Sequence, residues 1–381
     1  MRYESKKIVA DILGYIQTYS DRDSLATELD PQFNQLALEL FRFQYEWNPS
    51  YKLYCQRRRK SPFTVKRWQD IPPVPFQMFK ESTLACEPVD EAEAVFMTSG
   101  STNQDKRGRN YHATLEVWDA SMLPPFKHYV LPDREKMTIF ILSPAADVHQ
   151  NSSLSRYLTM AVEHYGTQDS AFFFDKNTGF NMEGLVEALQ QIESKGEPVL
   201  LMGATFAYVH FLDYCRSKGL TFKLPTDSRI FDTGGLKGQA REVTSGELYE
   251  WFKEALGVGR ELCLNMYGMT ELSSQLYDRV IETRIREGRP CYDKIGPAWT
   301  RIQVLSPDTL APVQFGETGL LAHYDLANWN SALGILTEDI GYQTKDGFVL
   351  LGRTKGSEAR GCSIAIDEML TLKTNVNKVG V

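Results

Sequence analysis

The sequence predicts an α/β fold, with a large layered body that ends in a β-rich region, and three observations support this. From about residue 93 to about residue 340, short apolar runs alternate with segments of helical periodicity. Each apolar run ends in Gly, Ser, Pro or Asp, as strands do at the edge of an α/β sheet. From about residue 300 the pattern changes to short strands spaced as hairpins, at 301–305, 319–323 and 348–351.

Composition narrows the functional classes. The chain has 381 residues, 42% hydrophobic and 24% charged, which is enough to bury a core without disulfides or metals. Its formal net charge of −7 does not favour nucleic-acid binding. No apolar run reaches the length of a membrane span, about 20 residues. Six scattered cysteines without a C-x-x-C pair fit reduced thiols in a cytoplasmic enzyme.

The elements are predicted as three parts in chain order. Residues 1–92 form a helical part, which opens with an amphipathic stretch and closes where the prolines of 70–75 favour extended structure. Residues 93–352 form the α/β body with its β-rich end, and 353–381 form a short C-terminal tail that carries Cys362. Within the body the predicted strands are 137–142, 198–202, 228–231 and 261–264, and the clearest helices are 181–195 and 204–218.

A hydroxyl-rich loop follows the apolar run 94–96. Residues 97–106 read Met-Thr-Ser-Gly-Ser-Thr-Asn-Gln-Asp-Lys. Gly100 lets the backbone approach a phosphate closely, and Lys106 offers a cation. The residues that would supply hydroxyls and amides are Thr98, Ser99, Ser101 and Thr102. The spacing is not that of a Walker A loop, a dinucleotide fingerprint or a serine-hydrolase elbow, and a surface turn is the alternative for this loop alone.

Four further stretches follow the loop in order. They read Phe-Asp-Thr-Gly-Gly-Leu-Lys-Gly (231–238), Asn-Met-Tyr-Gly-Met-Thr-Glu (265–271), Leu-Thr-Glu-Asp-Ile-Gly (336–341) and Leu-Leu-Gly-Arg-Thr-Lys-Gly (350–356). With the loop, they resemble the signature set of the adenylate-forming superfamily of acyl-CoA synthetases, firefly luciferase and peptide-synthetase adenylation domains. The resemblance implies the large N-terminal domain of that superfamily, ATP as cosubstrate, and conversion of a carboxylic acid to acyl-AMP with release of pyrophosphate.

The same resemblance implies roles for the nucleotide's base and phosphates. Loop 98–106 would hold the β- and γ-phosphates. Gly234 and Gly235 would form a floor for adenine, on which Tyr267, followed by Gly268, would stack.

At the α-phosphate and the ribose, four more residues take roles by resemblance. Thr270 would donate to the α-phosphate, and Glu271 would hold Mg²⁺, a hard ion that prefers carboxylate oxygen. Asp339 would accept from the ribose hydroxyls, and Arg353 would reach ribose or phosphate. Taken singly, Glu271 could instead open a helix, Asp339 could be a turn residue and Arg353 a surface charge.

Cys362 stands apart from the other five cysteines because it follows the Gly-Arg-x-Lys stretch at 352–355, which the resemblance implies is a hinge. It lies nine residues past Arg353, and an extended chain of that length reaches roughly 30 Å. Two glycines that permit a swing and two cations that favour the nucleophilic thiolate flank it: Gly356, Gly361, Lys355 and Arg360. These residues predict transfer of the acyl group from AMP to Cys362.

The end of the chain sharpens the resemblance. The Ile-Pro-x-x-Pro-x-x-x-Phe-Lys segment (71–80), the Thr-Gly-Gly stretch and the terminal Gly-Cys-Ser are similar to the LuxE family of acyl-protein synthetases. That resemblance implies that the lysine-bearing C-terminal domain of the superfamily is truncated to a short tail. It also implies a fatty acid substrate and passage of the acyl group from Cys362 to a partner acyl reductase of the aldehyde-dehydrogenase type.

The acid-binding residues are the least specific part of the prediction. His149, in Asp-Val-His-Gln-Asn, falls near a histidine of the superfamily's substrate-side motif, and a capping or core histidine is the alternative. Phe206 is the first candidate for the lining of an acid pocket, together with Tyr208, Val209, Phe211 and Trp299.

Two other functions remain open on the sequence. The chain could be an acyl- or aryl-CoA ligase similar to phenylacetate–CoA ligase, for which Cys362 is incidental. It could also be a non-catalytic partner of a reductase complex, although the full set of nucleotide-facing residues argues against that.

Overall fold

The structure is a computed structural model that describes residues 1–98, 107–176, 178–234 and 243–353. It divides into two compact units. The first consists of Met1–Met122, Met269–Gln275 and the described residues from Asp293 onward, and the second of Leu123–Gly268 and Leu276–Tyr292. The division predicted at residues 92 and 352 rests on sequence pattern and stays a prediction. Over the described ranges, no helix has both the length and the apolar character needed to cross a membrane.

Helices and strands alternate along most of the described chain. The helices are α1 (Tyr3–Thr18), α2 (Asp30–Trp47), α3 (Pro49–Arg57), α4 (Met78–Glu81), α5 (Glu116–Val130), α6 (Ser153–Tyr165), α7 (Met182–Lys195), α8 (Thr205–Lys218), α9 (Ser245–Leu256) and α10 (Val280–Glu287). The strands are β1 (Val74–Pro75), β2 (Ala94–Met97), β3 (Arg109–His112), β4 (Thr138–Ile141), β5 (Ala171–Phe172), β6 (Phe174–Asp175), β7 (Gly179–Phe180), β8 (Val199–Ala204), β9 (Arg229–Thr233), β10 (Cys263–Tyr267), β11 (Leu276–Asp278), β12 (Lys294–Ile295), β13 (Thr300–Leu305), β14 (Gly319–Asp325), β15 (Gly334–Thr344) and β16 (Gly347–Arg353).

The first unit contains the predicted helical part and the predicted β-rich end. Strands β13 to β16 form an antiparallel meander in chain order, β12 pairs with β16, and β1 lies parallel to β15. The apolar stripe of α2 is buried, because its spacing of three to four residues places it on one helix face. The stripe consists of Phe33, Leu36, Leu40 and Phe43.

The second unit is a sheet of the strand order β11-β10-β9-β8-β4-β5, in which only β11 runs antiparallel to its neighbour. Every residue of β8 is buried, as expected for a parallel strand covered on both faces. Helix α7 begins at an Asn181 side chain that accepts a hydrogen bond from the Gly184 amide, and it ends at Gly196, whose φ of 73° favours glycine. The predicted α/β class is confirmed. The strand predicted at 261–264 begins two residues later, because 260–262 form a single 3₁₀ turn.

A buried arginine anchors the start of β9. Arg229 is 1% exposed; it donates to the carbonyl of Val130 at 2.5 Å and to both carboxylate oxygens of Asp133 at 2.6 Å. Burial raises the pKa of Asp133, but hydrogen bonds from Arg134 and Arg229 outweigh it and lower this pKa to about 2. Removing one partner of such a pair leaves an uncompensated charge.

We therefore expect Asp133→Asn to lower the free energy of unfolding by about 2 kcal/mol or more at pH 7. Since the pKa of Asp133 is lower in the folded state, its contribution is complete above pH 4 and is lost as the pH falls from about 4 to about 2. Denaturant titrations at several pH values should show the two proteins converging over that interval. Asp227→Asn is the control: this more exposed carboxylate also faces Arg134, at 3.8 Å, and its loss should cost less than about 1 kcal/mol. An Asp133→Asn defect that did not depend on pH would contradict the assignment.

Candidate active site

The hydroxyl-rich segment is carried by a hairpin of the first unit. Strands β2 and β3 pair antiparallel, and Thr98 and Gly108 continue the ladder at the base of the loop. The Thr98 amide donates to the Gly108 carbonyl at 3.0 Å, and the Gly108 amide donates to the Thr98 hydroxyl oxygen at 2.9 Å. The hydroxyl oxygen of Thr98 therefore acts as an acceptor at the base of the hairpin, and its proton is not used in this hydrogen bond. Seven predicted site residues lie outside the described residues: Ser99, Gly100, Ser101, Thr102, Lys106, Gly235 and Cys362.

The turn that carries Thr270 and Glu271 is fixed by two asparagines from distant parts of the first unit. Asn110 Nδ2 donates to the Thr270 carbonyl at 2.9 Å, and Asn328 Nδ2 donates to the Glu271 carbonyl at 3.2 Å. Both asparagines are 1% exposed, so these hydrogen bonds are shielded from water. The Leu272 amide closes the turn by donating to the Met269 carbonyl at 3.1 Å. The segment is a turn and not the start of a helix.

A buried carboxylate secures the residues that follow. The Asp325 side chain accepts from the amides of Ser273 and Ser274 at 3.1 and 2.7 Å, and from the Ser274 hydroxyl at 2.8 Å. It also accepts from the Ala327 amide at 2.9 Å. Burial raises the pKa of Asp325 to about 6, and the four donors act in the opposite direction. Because both carboxylate oxygens accept, this side chain holds the chain directly after Glu271 in one conformation.

The oxygen atoms that this turn offers as ligands fit a magnesium ion. Glu271 is 2% exposed, and Thr270, which precedes it, is half-buried. The pair offers a carboxylate and a hydroxyl, which are the hard oxygen ligands that Mg²⁺ prefers. Glu271 therefore stays the predicted metal ligand of the site.

Asp339 and Arg353 are partners of each other in the structure. They stand directly opposite in the β15–β16 ladder, and Arg353 Nε donates to Asp339 Oδ1 at 2.7 Å. The Asp339 side chain is 7% exposed and that of Arg353 is 36% exposed. The guanidinium carbon of Arg353 also lies 5.5 Å from the ring centre of Phe76, in the 71–80 segment. The pair orients the Asp339 carboxylate, and its contacts with ribose or phosphate stay predictions.

The 71–80 segment runs along the strand that carries Asp339. Val74 and Pro75 pair with β15, and the Phe76 amide donates to the Leu336 carbonyl at 3.0 Å. Gln77 Nε2 continues the contact by donating to Glu338 Oε1 at 2.6 Å. The segment thus links β15 to α4, the short helix that carries Lys80.

The second unit holds the predicted adenine-binding residues at one edge of its sheet. Gly234 directly follows β9, and Tyr267 is the last residue of the adjacent parallel strand β10. Gly234 has a φ of 80°, which favours glycine, and Tyr267 is half-buried. The carboxyl ends of parallel strands meet at one edge, where α/β proteins bind ligands.

A buried aspartate supports this edge. Asp232 accepts from the Thr205 hydroxyl at 2.6 Å and from Asn265 Nδ2 at 2.8 Å. The Thr205 hydroxyl also lies 3.2 Å from the Gly234 carbonyl, so the first residue of α8 is tied to the turn after β9.

Phe206 and His149 follow the carboxyl ends of β8 and β4 at the same edge. Phe206 is 36% exposed, and His149 is exposed on a turn where its carbonyl accepts from the Ser152 amide at 3.0 Å. Their contact with the acid stays a prediction. The other predicted lining residues were wrong, because each is at most 1% exposed and packs in the interior of its unit: Tyr208, Val209, Phe211 and Trp299. Helical spacing places Tyr208, Val209 and Phe211 on the buried side of α8, while Phe206 lies on its exposed side.

The supporting residues were missed by the sequence analysis. Asn110, Asn328 and Asp325 lie in no motif, and the residues of 270–274 that they hold are at least 51 positions away in the chain. Only Asp232 had a local signal, since it precedes Thr-Gly-Gly at the end of an apolar run.

Comparison with known proteins places this geometry in context. The chain matches the model of a family described as acyl-protein synthetase, LuxE, over residues 11–371. A long-chain-fatty-acid–luciferin-component ligase from Vibrio harveyi is 22% identical over 351 residues, covering 90% of this chain and 89% of that protein. A ligase of the same name from Aliivibrio fischeri is 22% identical over 311 residues, covering 81% of this chain and 78% of that protein.

Solved structures show the same fold. An open conformation of 2-hydroxyisobutyryl-CoA ligase, in complex with 2-HIB-AMP and CoA, superimposes with a TM-score of 0.62 at 14% identity. The match covers 87% of this chain and 71% of that chain. At this identity the likeness concerns the fold alone, and it agrees with the predicted large layered α/β body.

Proposed function

This chain belongs to the LuxE family of acyl-protein synthetases, and from that premise we propose that it activates a carboxylic acid with ATP and transfers the acyl group to its own Cys362. The observation that carries the first step is the Thr270–Glu271 turn, whose carbonyls and following amides are held by Asn110, Asn328 and Asp325. Preorganised donors and charges of this kind stabilise a transition state without having to reorganise during the reaction.

In the first step, a carboxylate oxygen of the acid attacks the α-phosphorus of ATP. The bond from that phosphorus to the bridging oxygen of the β-phosphate breaks, so acyl-AMP forms and pyrophosphate leaves. Catalysis consists mainly of positioning and charge neutralisation. The Thr270 hydroxyl positions the α-phosphate, and the Glu271 carboxylate would hold the metal ion. Mg²⁺, when bound at Glu271, would neutralise charge on the phosphates.

The nucleoside is recognised by an aromatic ring, two glycines and a carboxylate. Tyr267 stacks on adenine over Gly234 and Gly235, and the Asp339 carboxylate accepts from the ribose hydroxyls while Arg353 orients it. Loop 98–106, with Lys106, holds the two terminal phosphates.

In the second step, the Cys362 thiolate attacks the acyl carbonyl, the bond from that carbon to the phosphate oxygen breaks, and AMP leaves. Four of the other five cysteines give indirect support, because they are buried. Burial raises the pKa of Cys55 to about 12 and that of Cys215 to about 11, and it raises the pKa of Cys86 and Cys263 as well. These thiols stay protonated and enclosed, which makes them poor nucleophiles.

The names of the relatives support a long-chain fatty acid as the substrate. An acyl group held as a thioester on a tail needs an acceptor, and we propose a partner acyl reductase of the aldehyde-dehydrogenase type. Co-purification of the two proteins from native cells tests this partner.

The activity is tested by ATP–pyrophosphate exchange with a panel of fatty and aromatic acids, followed by intact-protein mass spectrometry. We expect acid-dependent exchange and a hydroxylamine-labile adduct of one acyl mass, both strongest with long-chain acids. Turnover that requires added CoA, with no adduct, would favour the acyl-CoA ligase alternative. Absence of exchange with every acid would favour the non-catalytic alternative.

A further inference from the structure

The first unit contains a polar cleft beside the hairpin that carries the phosphate loop. Its volume is about 340 Å³, and the buried Phe79 side chain contributes to its wall. The residues that line it are Ser50, Phe79, Lys80, Glu81, Ser82, Thr83, Arg107, Arg109 and Tyr111. Three of these are cationic and one is a carboxylate, and four others carry hydroxyls.

Two arginines reach the same cleft, Arg109 from strand β3 and Arg107 from the residues just before that strand. Arg107, Arg109 and Tyr111 are half-buried and line the cleft, whereas Gly108, Asn110 and His112 between them are buried. Successive side chains of a strand point to opposite faces, so Arg109 and Tyr111 lie on one face of β3, and Arg107 lines the same cleft from the bend just before the strand.

Lys80 adds the third cation from α4. An ideal Cβ built at Gly108 would lie 3.4 Å from Lys80 Cγ and 3.0 Å from Thr98 Cγ2. The Lys80 stem therefore lies close to Gly108, at the base of the hairpin where Thr98 and Gly108 exchange their hydrogen bonds.

Strand β3 thus contributes residues both to the support of the Thr270–Glu271 turn and to the wall of the cleft. On one face of β3, the Asn110 side chain donates to the carbonyl of Thr270, and Thr270 is the residue assigned to the α-phosphate. On the other face, Arg109 lines the cationic cleft, and the consecutive Cα atoms of the two residues are about 3.8 Å apart. In the sequence this strand follows the segment assigned to the β- and γ-phosphates, so one short stretch of chain joins the residues assigned to ATP to those that line the cleft.

We propose that this cleft binds the pyrophosphate released by adenylation, through Lys80, Arg107 and Arg109. Guanidinium groups pair with phosphate oxygens in a bidentate manner, and the hydroxyls of Ser82, Thr83 and Tyr111 supply further donors. This inference rests on the proposed function for the source of the anion, but the binding itself can be measured without any acyl substrate.

The test uses the full chain and the single variants Lys80→Gln, Arg107→Gln and Arg109→Gln. Sodium pyrophosphate is titrated into each protein by calorimetry without nucleotide, and the pyrophosphate dependence of the exchange reaction is measured separately. Since each substitution removes charge-assisted hydrogen bonds, we expect the dissociation constant for pyrophosphate to rise about 10-fold or more. Arg67→Gln is the matched control, because Arg67 is an exposed arginine of the same unit that pairs with Asp70, outside the cleft.

Each outcome decides a different point. Equal affinity in the wild type and all three cleft variants, or an equal loss in Arg67→Gln, would overturn the assignment. Inorganic phosphate binding as tightly as pyrophosphate would also overturn it, because the cleft would then recognise a single phosphate group. Pyrophosphate binding that weakens in the three cleft variants, in a protein that shows no acid-dependent exchange, would support the cleft as a pyrophosphate site and reject the proposed function. If the three cleft variants showed wild-type exchange with the same dependence on pyrophosphate concentration, the proposed function would stand and the cleft assignment would be rejected.

Discussion

Replacing Cys362 by serine is expected to abolish the acyl adduct while leaving ATP–pyrophosphate exchange within about twofold of the wild type. The second half-reaction needs a thiolate, since a serine hydroxyl is a weak nucleophile without an adjacent base. The first half-reaction uses the Thr270–Glu271 turn and the nucleotide residues, which do not include this thiol. Incubation with ATP, Mg²⁺ and a long-chain fatty acid, followed by intact-protein mass spectrometry, measures the adduct directly.

Cys291→Ser is the matched control for this experiment. Among the cysteines that the structure describes it is the least buried, whereas Cys55, Cys86, Cys215 and Cys263 are buried. The control should retain the adduct, together with normal exchange. An adduct that persists in Cys362→Ser, or one that disappears only in Cys291→Ser, would move the acyl-carrying position elsewhere.

The fold was largely predictable because its signals are local. The run at 199–204 is apolar throughout since β8 is covered on both faces, and α7 has an asparagine at one end and a glycine at the other. The β-rich end was predictable from alternation and turn residues. The start of β10 was misplaced because a 3₁₀ turn and a strand both tolerate the apolar Leu262.

The candidate site was predictable only in its motifs. Gly234, Tyr267, Thr270 and Glu271 lie in stretches whose spacing carries the resemblance. In contrast, the contact between Asn110 and Thr270 joins residues 160 positions apart, and it depends on how a hairpin meets a turn. The Asp339–Arg353 pair depends on the register of β15 against β16, which shifts between Ile340 and Gly341, and hydrophobic alternation does not reveal such an irregularity. Contacts between such distant segments decide which polar residues hold the site residues in place, and these contacts leave no local pattern in the sequence.

Glu271→Gln is expected to reduce acid-dependent exchange by about 10²–10³-fold, the usual cost of removing one preorganised electrostatic group. Glutamine keeps the shape of the side chain and loses the charge that suits Mg²⁺, so folding should be preserved. Raising the Mg²⁺ concentration should partly restore the rate if the carboxylate acts through the metal. Exchange rates over a Mg²⁺ series, with thermal denaturation as the folding check, measure both effects.

Asn110→Ala separates the role of the carboxylate from that of its support. This variant keeps Glu271 and removes the donor to the Thr270 carbonyl, so we expect it to lower exchange without making the reaction more dependent on Mg²⁺. The carbonyl left without its donor should also cost about 1–3 kcal/mol of folding free energy. Equal Mg²⁺ dependence in the two variants would show that Glu271 acts through the conformation of the turn. Rescue by Mg²⁺ in Glu271→Gln alone would place the ion at this carboxylate, because only a ligand's loss can be offset by mass action of the metal.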